Sequence, residues 1–124
     1  MKCLDTYALM ALAQGDPGFA KYFSEDFCIP DTTLAELYWV LLRDFSETTA
    51  QHWREKLTAY TAPVDDTIMI EAMRFRHRNK RKDYSFFDAV GYVFAQHKGC
   101  PFVTGDEAFR GMENVEFAKS STHH

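Results

Sequence analysis

The chain lacks any long apolar run. No segment of its 124 residues approaches the ~18 consecutive apolar positions of a membrane-spanning helix, so no membrane association is expected. The opening "MKCLDTYALM" carries no apolar core of a secretory signal, which points to a cytoplasmic protein. Cysteine is scarce: three residues, an odd number, with no CxxC spacing. Neither a paired disulfide framework nor a CxxC motif is indicated, and Cys3, Cys28 and Cys100, each in or beside an apolar run, read as free buried thiols of a reducing compartment. Internal repeats, low-complexity stretches and interior linkers are missing too. Positive charge is in short supply, with 14 Lys and Arg against 18 Asp and Glu and a net charge of −4. That balance makes the distribution of cations informative.

Six of the 14 basic side chains fall in one stretch, "RFRHRNKRK", as Arg74, Arg76, Arg78, Lys80, Arg81 and Lys82, with His77 among them. The other 115 residues hold eight cations against 18 carboxylates. A run of this kind is either a solvated helix end or a landing strip for a polyanion. Apolar content of 46 % with 11 Phe supports a real core, and the length suits one domain.

Short apolar runs alternate with helical patterns along the chain. "KCL", "FCI", "APV", "FVT" and "VEFA" read as strands, the second closed by Pro30. Helices are expected over "YALMALA", over "DPGFAKYF", from Asp31 to Phe45, from Ser46 with Ala50, Trp53, Leu57 and Tyr60 on one face, from Asp66 into the basic run, and from Ser85 to Gly99. "EAF" is a single helical turn. Such alternation implies right-handed crossovers and a mostly parallel sheet covered on both faces. Ligand crevices of such sheets open at the carboxyl ends of the strands, where the winding reverses.

Asp5 and Asp106 each follow a strand directly and would meet at that crevice if the first and fourth strands are neighbours. Each also reads as a helix N-cap, and Asp88 fits a capping box with Ser85. Glu36 resists that explanation. It lies mid-helix in "TTLAELYWVLL", with Trp39 and Val40 on its own side, so this helix is expected to be buried almost all round. A buried acid needs a partner, and Arg43 is one candidate. The Asp88 helix runs on as uncharged "AVGYVFA" and leads through Gly99 into the fourth strand, which sets Asp88 at the carboxyl edge of the sheet. Three acids at one edge repel one another unless cations intervene, and a hard ion such as Mg²⁺ or Mn²⁺ suits oxygen ligands better than zinc does.

"LDTYALMAL", "TTLAELYWVL", "SFFDAV" and "FVTGDEAF" stand in the order and approximate spacing of the PIN domain, and over residues 1 to about 118 the chain resembles the VapC ribonuclease toxins of prokaryotic toxin–antitoxin pairs. The basic connector before the Asp88 helix departs from the short, Gly-containing turn usual there. The resemblance implies a three-layer α/β/α sandwich around a five-stranded parallel sheet of order 3-2-1-4-5 and a single domain over 1–118; "KSSTHH", residues 119–124, is polar and reads as a disordered tail whose two terminal His have no metal role. The resemblance also implies catalytic and metal-holding roles for Asp5, Glu36, Asp88 and Asp106, supporting roles for Thr6 and Thr104, and hydrolysis of RNA with Mg²⁺ or Mn²⁺. The six basic residues from Arg74 to Lys82 then become the RNA path, with the later members flanking the crevice. A small antitoxin and a second copy of the chain are the implied partners. Exposed aromatics among Tyr38, Trp39, Trp53 and Tyr60 could serve those contacts, although a place in the core is the expectation for them. The alternatives are a PIN nuclease for RNA processing or for DNA or flap cleavage without an antitoxin, and a non-catalytic RNA-binding module.

Overall fold

The computed structural model describes residues 1–121. Five short strands, β1 (Lys2–Leu4), β2 (Phe27–Pro30), β3 (Thr61–Ala62), β4 (Phe102–Thr104) and β5 (Val115–Phe117), form one sheet of order β3-β2-β1-β4-β5. Every pairing is parallel. β1 lies between β2 and β4, in register Cys3 with Cys28 and Leu4 with Val103. This is the sandwich expected, with the first and fourth strands adjacent. The winding reverses between them, so their carboxyl ends frame the crevice.

Among the described residues the α-helices are α1 (Thr6–Ala13), α2 (Lys21–Ser24), α3 (Asp31–Asp44), α4 (Glu47–Leu57), α5 (Asp66–Arg78) and α6 (Phe86–Lys98). Alternation along each strand sends side chains into two separate cores. Cys3 and Phe102 pack with α5 and α6 around Phe75, Tyr84, Tyr92 and Phe109. Leu4 and Val103 point the other way, into a cluster with α1, α3 and α4 that includes Leu9, Leu37, Leu41 and Leu57. α6 is the most deeply set helix, buried without interruption from Ala89 to Ala95.

Several local expectations are corrected. β2 continues through Pro30, which pairs with Ala62, and β3 ends at Ala62 rather than running to Val64. The helix expected over 16–23 begins only at Lys21, because the Asp16 carboxylate accepts from the Gly18 N–H at 2.8 Å and holds the preceding segment as a turn. α3 is not wrapped on all sides: Trp39 is 58 % exposed and Leu42 41 %, and Phe45, directly after the helix, is 55 % exposed. Tyr60 is exposed as well, whereas Tyr38 and Trp53 pack against the core. Arg43 pairs with its neighbour Asp44, so it is not the partner of Glu36. The tail expected to fray from residue 119 is bonded over its first three residues. Ser120 donates its N–H to the Tyr7 hydroxyl at 2.7 Å, and the Ser121 N–H donates to Asp16 at 2.7 Å. The two terminal His lie outside the described residues.

Candidate active site

Each acid of the crevice is placed by the end of a secondary-structure element. Asp5 follows β1, its N–H donating to the Val103 carbonyl of β4 at 3.1 Å, while its carboxylate caps α1 by accepting from the Ala8 N–H at 2.9 Å. Asp106 follows β4 and caps the turn Glu107–Phe109 through the Ala108 N–H at 3.0 Å. Asp88 stands in the first turn of α6 and completes the capping box with Ser85, each bond 3.1 Å long. Glu36 comes from the middle of α3 and accepts a hydrogen bond from the Thr6 hydroxyl at the start of α1. The capping readings of Asp5, Asp88 and Asp106 are therefore correct, and all three caps open onto one place.

That place is a cleft of about 460 Å³ lined by Asp5, Thr6, Tyr7, Glu36, Asp88, Gly105, Asp106, Glu107 and Lys119. Thr104 lies beneath it, fully buried, with its hydroxyl accepting from the Asp106 N–H at 3.1 Å and bonded to the Asp5 carboxylate. One threonine thus ties the two strand ends together. Burial is the main influence on Asp5 and raises its pKa to about 7, the charges of Asp88 and Glu36 adding to the rise and the bonds from Thr104 and Ala8 opposing it. Burial also raises Glu36 and Asp88; each is relieved in part by its hydrogen-bond partner, and Asp88 further by the nearby Arg76 charge. The cleft concentrates negative charge where water screens it poorly.

The basic run does not line this cleft. α5 carries it to Arg78, a single turn spans Lys80–Lys82, and Asp83 takes the left-handed conformation that swings the chain to Ser85. Two of its six cations approach the rim. Arg76 donates to the Tyr84 carbonyl at 2.9 Å, and Lys82 donates to the Ala108 carbonyl at 3.2 Å, in the turn capped by Asp106. Arg74 pairs with Glu71, and Arg78, Lys80 and Arg81 are exposed. The cation in the cleft is Lys119, from the segment after β5, and no pattern in the sequence marks it. Tyr7 and Gly105 lie within the quoted motifs, which assign them no role.

A family model described as the PIN domain matches residues 2–115. The chain belongs to the PIN domain family. No curated protein matches the sequence. Among solved structures, this PIN domain is similar to a toxin–antitoxin complex from Klebsiella pneumoniae, with TM-score 0.78, 18 % identity and coverage of 94 % of this chain and 96 % of the other. A Mycobacterium tuberculosis VapC toxin described as cleaving the sarcin–ricin loop gives 0.75, 20 %, 93 % and 98 %. DNA-bound VapBC from Salmonella typhimurium gives 0.76, 19 %, 95 % and 98 %.

Apart from the Lys119 ammonium, the side chains lining the cleft of this PIN domain offer oxygen donors, the five carboxylates of Asp5, Glu36, Asp88, Asp106 and Glu107 with the Thr6 and Tyr7 hydroxyls, the chemistry that hard divalent cations select. Among the described residues, no group of three or more His, Cys, Asp or Glu side chains is gathered as it stands to hold an ion. Asp5, Asp88 and Asp106 each commit an oxygen to a backbone cap, and Glu36 commits one to Thr6. The donor types fit a hard divalent cation.

Proposed function

We propose that this PIN domain is a divalent-metal-dependent endoribonuclease, the toxin of a toxin–antitoxin pair acting in the cytoplasm. The observation that carries the reading is the convergence of Asp5, Glu36, Asp88 and Asp106 on one cleft at the carboxyl edge of the sheet. A phosphodiester is repelled by such a cleft unless a cation joins it. Mg²⁺ or Mn²⁺ held by Asp5, Asp88, Asp106 and Glu36 would neutralise the carboxylates and stabilise charge on the phosphate during hydrolysis. Thr104 keeps the Asp5 and Asp106 strand ends together, and Thr6 orients Glu36. Glu36, whose burial raises its affinity for a proton, is suited to orient the attacking water and accept its proton. Arg74, Arg76, Arg78, Lys80, Arg81 and Lys82 serve as the RNA path outside the cleft, through phosphate neutralisation.

The assemblies named among the structural neighbours support an antitoxin and a second copy as partners. The exposed Trp39 and Leu42 of α3, with Phe45 directly after the helix, form the surface we assign to such a contact. A non-catalytic module has no supporting observation, since all four acids reach the cleft. Cleavage of DNA would use the same carboxylates, so the test includes both polymers.

Purified protein should cleave single-stranded RNA in Mg²⁺ or Mn²⁺, stop with EDTA, and act poorly on DNA of the same sequence. Asp88→Asn and Asp106→Asn should abolish cleavage while the protein stays folded, because Asn caps as well as Asp does at 106 and its amide oxygen can still accept from the Ser85 N–H at 88. Cleavage that persists in EDTA and survives Asp5→Asn would overturn the metal mechanism.

A further inference from the structure

The cation inside the acidic cleft is built in with more care than a surface lysine requires. Lys119 follows β5, whose pairing with β4 is extended by the Ala118 N–H donating to the Thr104 carbonyl at 2.9 Å. Its ammonium donates to the Gly105 carbonyl at 2.9 Å, lies 3.5 Å from the Glu107 carboxylate, and sits over the Tyr7 and Phe117 rings at 5.6 and 5.9 Å. The side chain is nevertheless 51 % exposed, so one side of the ammonium remains open to the cleft.

The next two residues hold this position. Ser120 and Ser121 bring their hydroxyls to the Asp16 carboxylate, at 2.7 and 3.1 Å, and the Ser121 N–H adds a third bond. Asp16 is buried, and the Ser120 hydroxyl is the leading cause of a pKa lowered to about 2, so the latch stays ionised at any physiological pH. On the other side the Tyr7 hydroxyl accepts from the Ser120 N–H. Even Gly105 belongs to this arrangement. A Cβ there would lie 2.2 Å from the Tyr7 ring and 2.6 Å from the Ala118 carbonyl, so the middle residue of Thr-Gly-Asp must be glycine for the strap to lie down.

We propose that Lys119 is a phosphate-binding residue of the cleft, contacting a phosphodiester beside the scissile one, and that the Asp16 latch on Ser120 and Ser121 positions it. The assignment rests on the ribonuclease reading and adds a cation that the four acids cannot supply. An RNA strand arriving from the exposed basic run crosses a rim dominated by carboxylates. A fixed ammonium at that point offsets one phosphate charge at little entropic cost, since its contacts already restrain the side chain. Its exchange of Glu107 for a phosphate oxygen keeps a charged partner on it throughout.

The test measures a fluorescein-labelled single-stranded RNA twice, by anisotropy in Ca²⁺ and by single-turnover cleavage in Mg²⁺, across a salt series. Lys119→Gln should raise Kd about tenfold, the size of one charge-assisted hydrogen bond. It should also reduce the slope of log affinity against log salt by about 0.7. The cleavage rate at saturating protein should fall by less than the affinity does, as expected when most of the lost contact is shared by ground and transition states. Lys119→Arg should restore both values. Ser120→Ala with Ser121→Ala should give a smaller loss of affinity with the slope retained, because the charge remains but is less well placed. If wild type cleaves and Lys119→Gln leaves Kd and salt slope unchanged, the assignment is wrong while the nuclease reading stands. If nothing cleaves yet Lys119→Gln weakens binding, the nuclease reading falls and Lys119 remains an RNA contact. If wild type neither binds nor cleaves RNA, both fall.

Discussion

Asp5 shows how much one carboxylate can be asked to do. It ends β1, begins α1, is bonded to Thr104, and faces Asp88 and Glu36 across the cleft, all while 7 % exposed. Its pKa of about 7 makes it a liability to the metal-free fold at neutral and alkaline pH. The unfolded chain ionises this group near pH 4. The penalty is thus absent below that value, grows as pH rises from about 4 to about 7, and is complete above. At pH 8 it amounts to something on the order of 4 kcal/mol. Glu36 and Asp88, also raised, act in the same direction. Thermal melts in EDTA should therefore show a higher Tm at pH 5.5 than at pH 8, and Asp5→Asn should remove most of the difference. The Asp16 latch works the opposite way, being lost only as pH falls toward 2, so it does not obscure this window. A Tm in EDTA that rises steadily with pH from 5.5 to 8 would contradict the account.

At the scale of elements, α5 and the turn after it decide what the basic run can reach. The helix displays Arg74, Arg78 and their neighbours on its outer surface, and the left-handed Asp83 redirects the chain before the cations arrive at the cleft. Only Arg76 and Lys82 touch the rim, and each donates to a backbone carbonyl there. Contact with RNA along this element should therefore be electrostatic and separable from chemistry. Neutralising Arg78, Lys80, Arg81 and Lys82 together should flatten the salt dependence of RNA binding by up to about 0.7 per lost contact on single strands. Cleavage of bound RNA should stay near wild type in single turnover. Unchanged affinity and slope in this variant would make the run a solvated helix end. The element scale also explains a misreading at α3. Its apolar residues extend around the helix as in a fully buried one, yet Trp39, Leu42 and Phe45 face outward because α4 and the sheet cover only the side bearing Leu37 and Leu41.

For the whole molecule, that uncovered side is the surface proposed above for a partner. Trp39→Ser with Phe45→Ser should leave the Tm of the isolated chain within a few degrees, since neither side chain is part of a core, while light scattering should show loss of the proposed self-association or of capture by the proposed antitoxin. A clearly lower Tm at low protein concentration would instead mean that this surface supports the monomer fold. Much of this architecture was legible in advance. The five strands, the capping box at Ser85, the Gly99 stop and the four acids are local signals, written in short-range periodicity and turn chemistry. Recognition of four motifs in order supplied the strand order, which no single segment specifies.

What the sequence determined by itself was therefore the composition of the site: which acids stand at element ends, which threonines accompany them, and that one stretch holds the spare positive charge. The tertiary structure decided where charge meets charge. Glu36 joins Thr6 rather than Arg43 because the register of α3 against α1 is a packing outcome. Lys119 enters the cleft while Arg78 and Lys80 stay outside, because β5 pairs beside β4 and delivers the chain end over Gly105, whereas α5 must turn its apolar face inward to Phe75 and Ala72. A lysine carries no local preference that distinguishes these places. Its position follows from hydrogen bonds and burial between residues far apart in the chain, and those are settled only when the sheet is assembled.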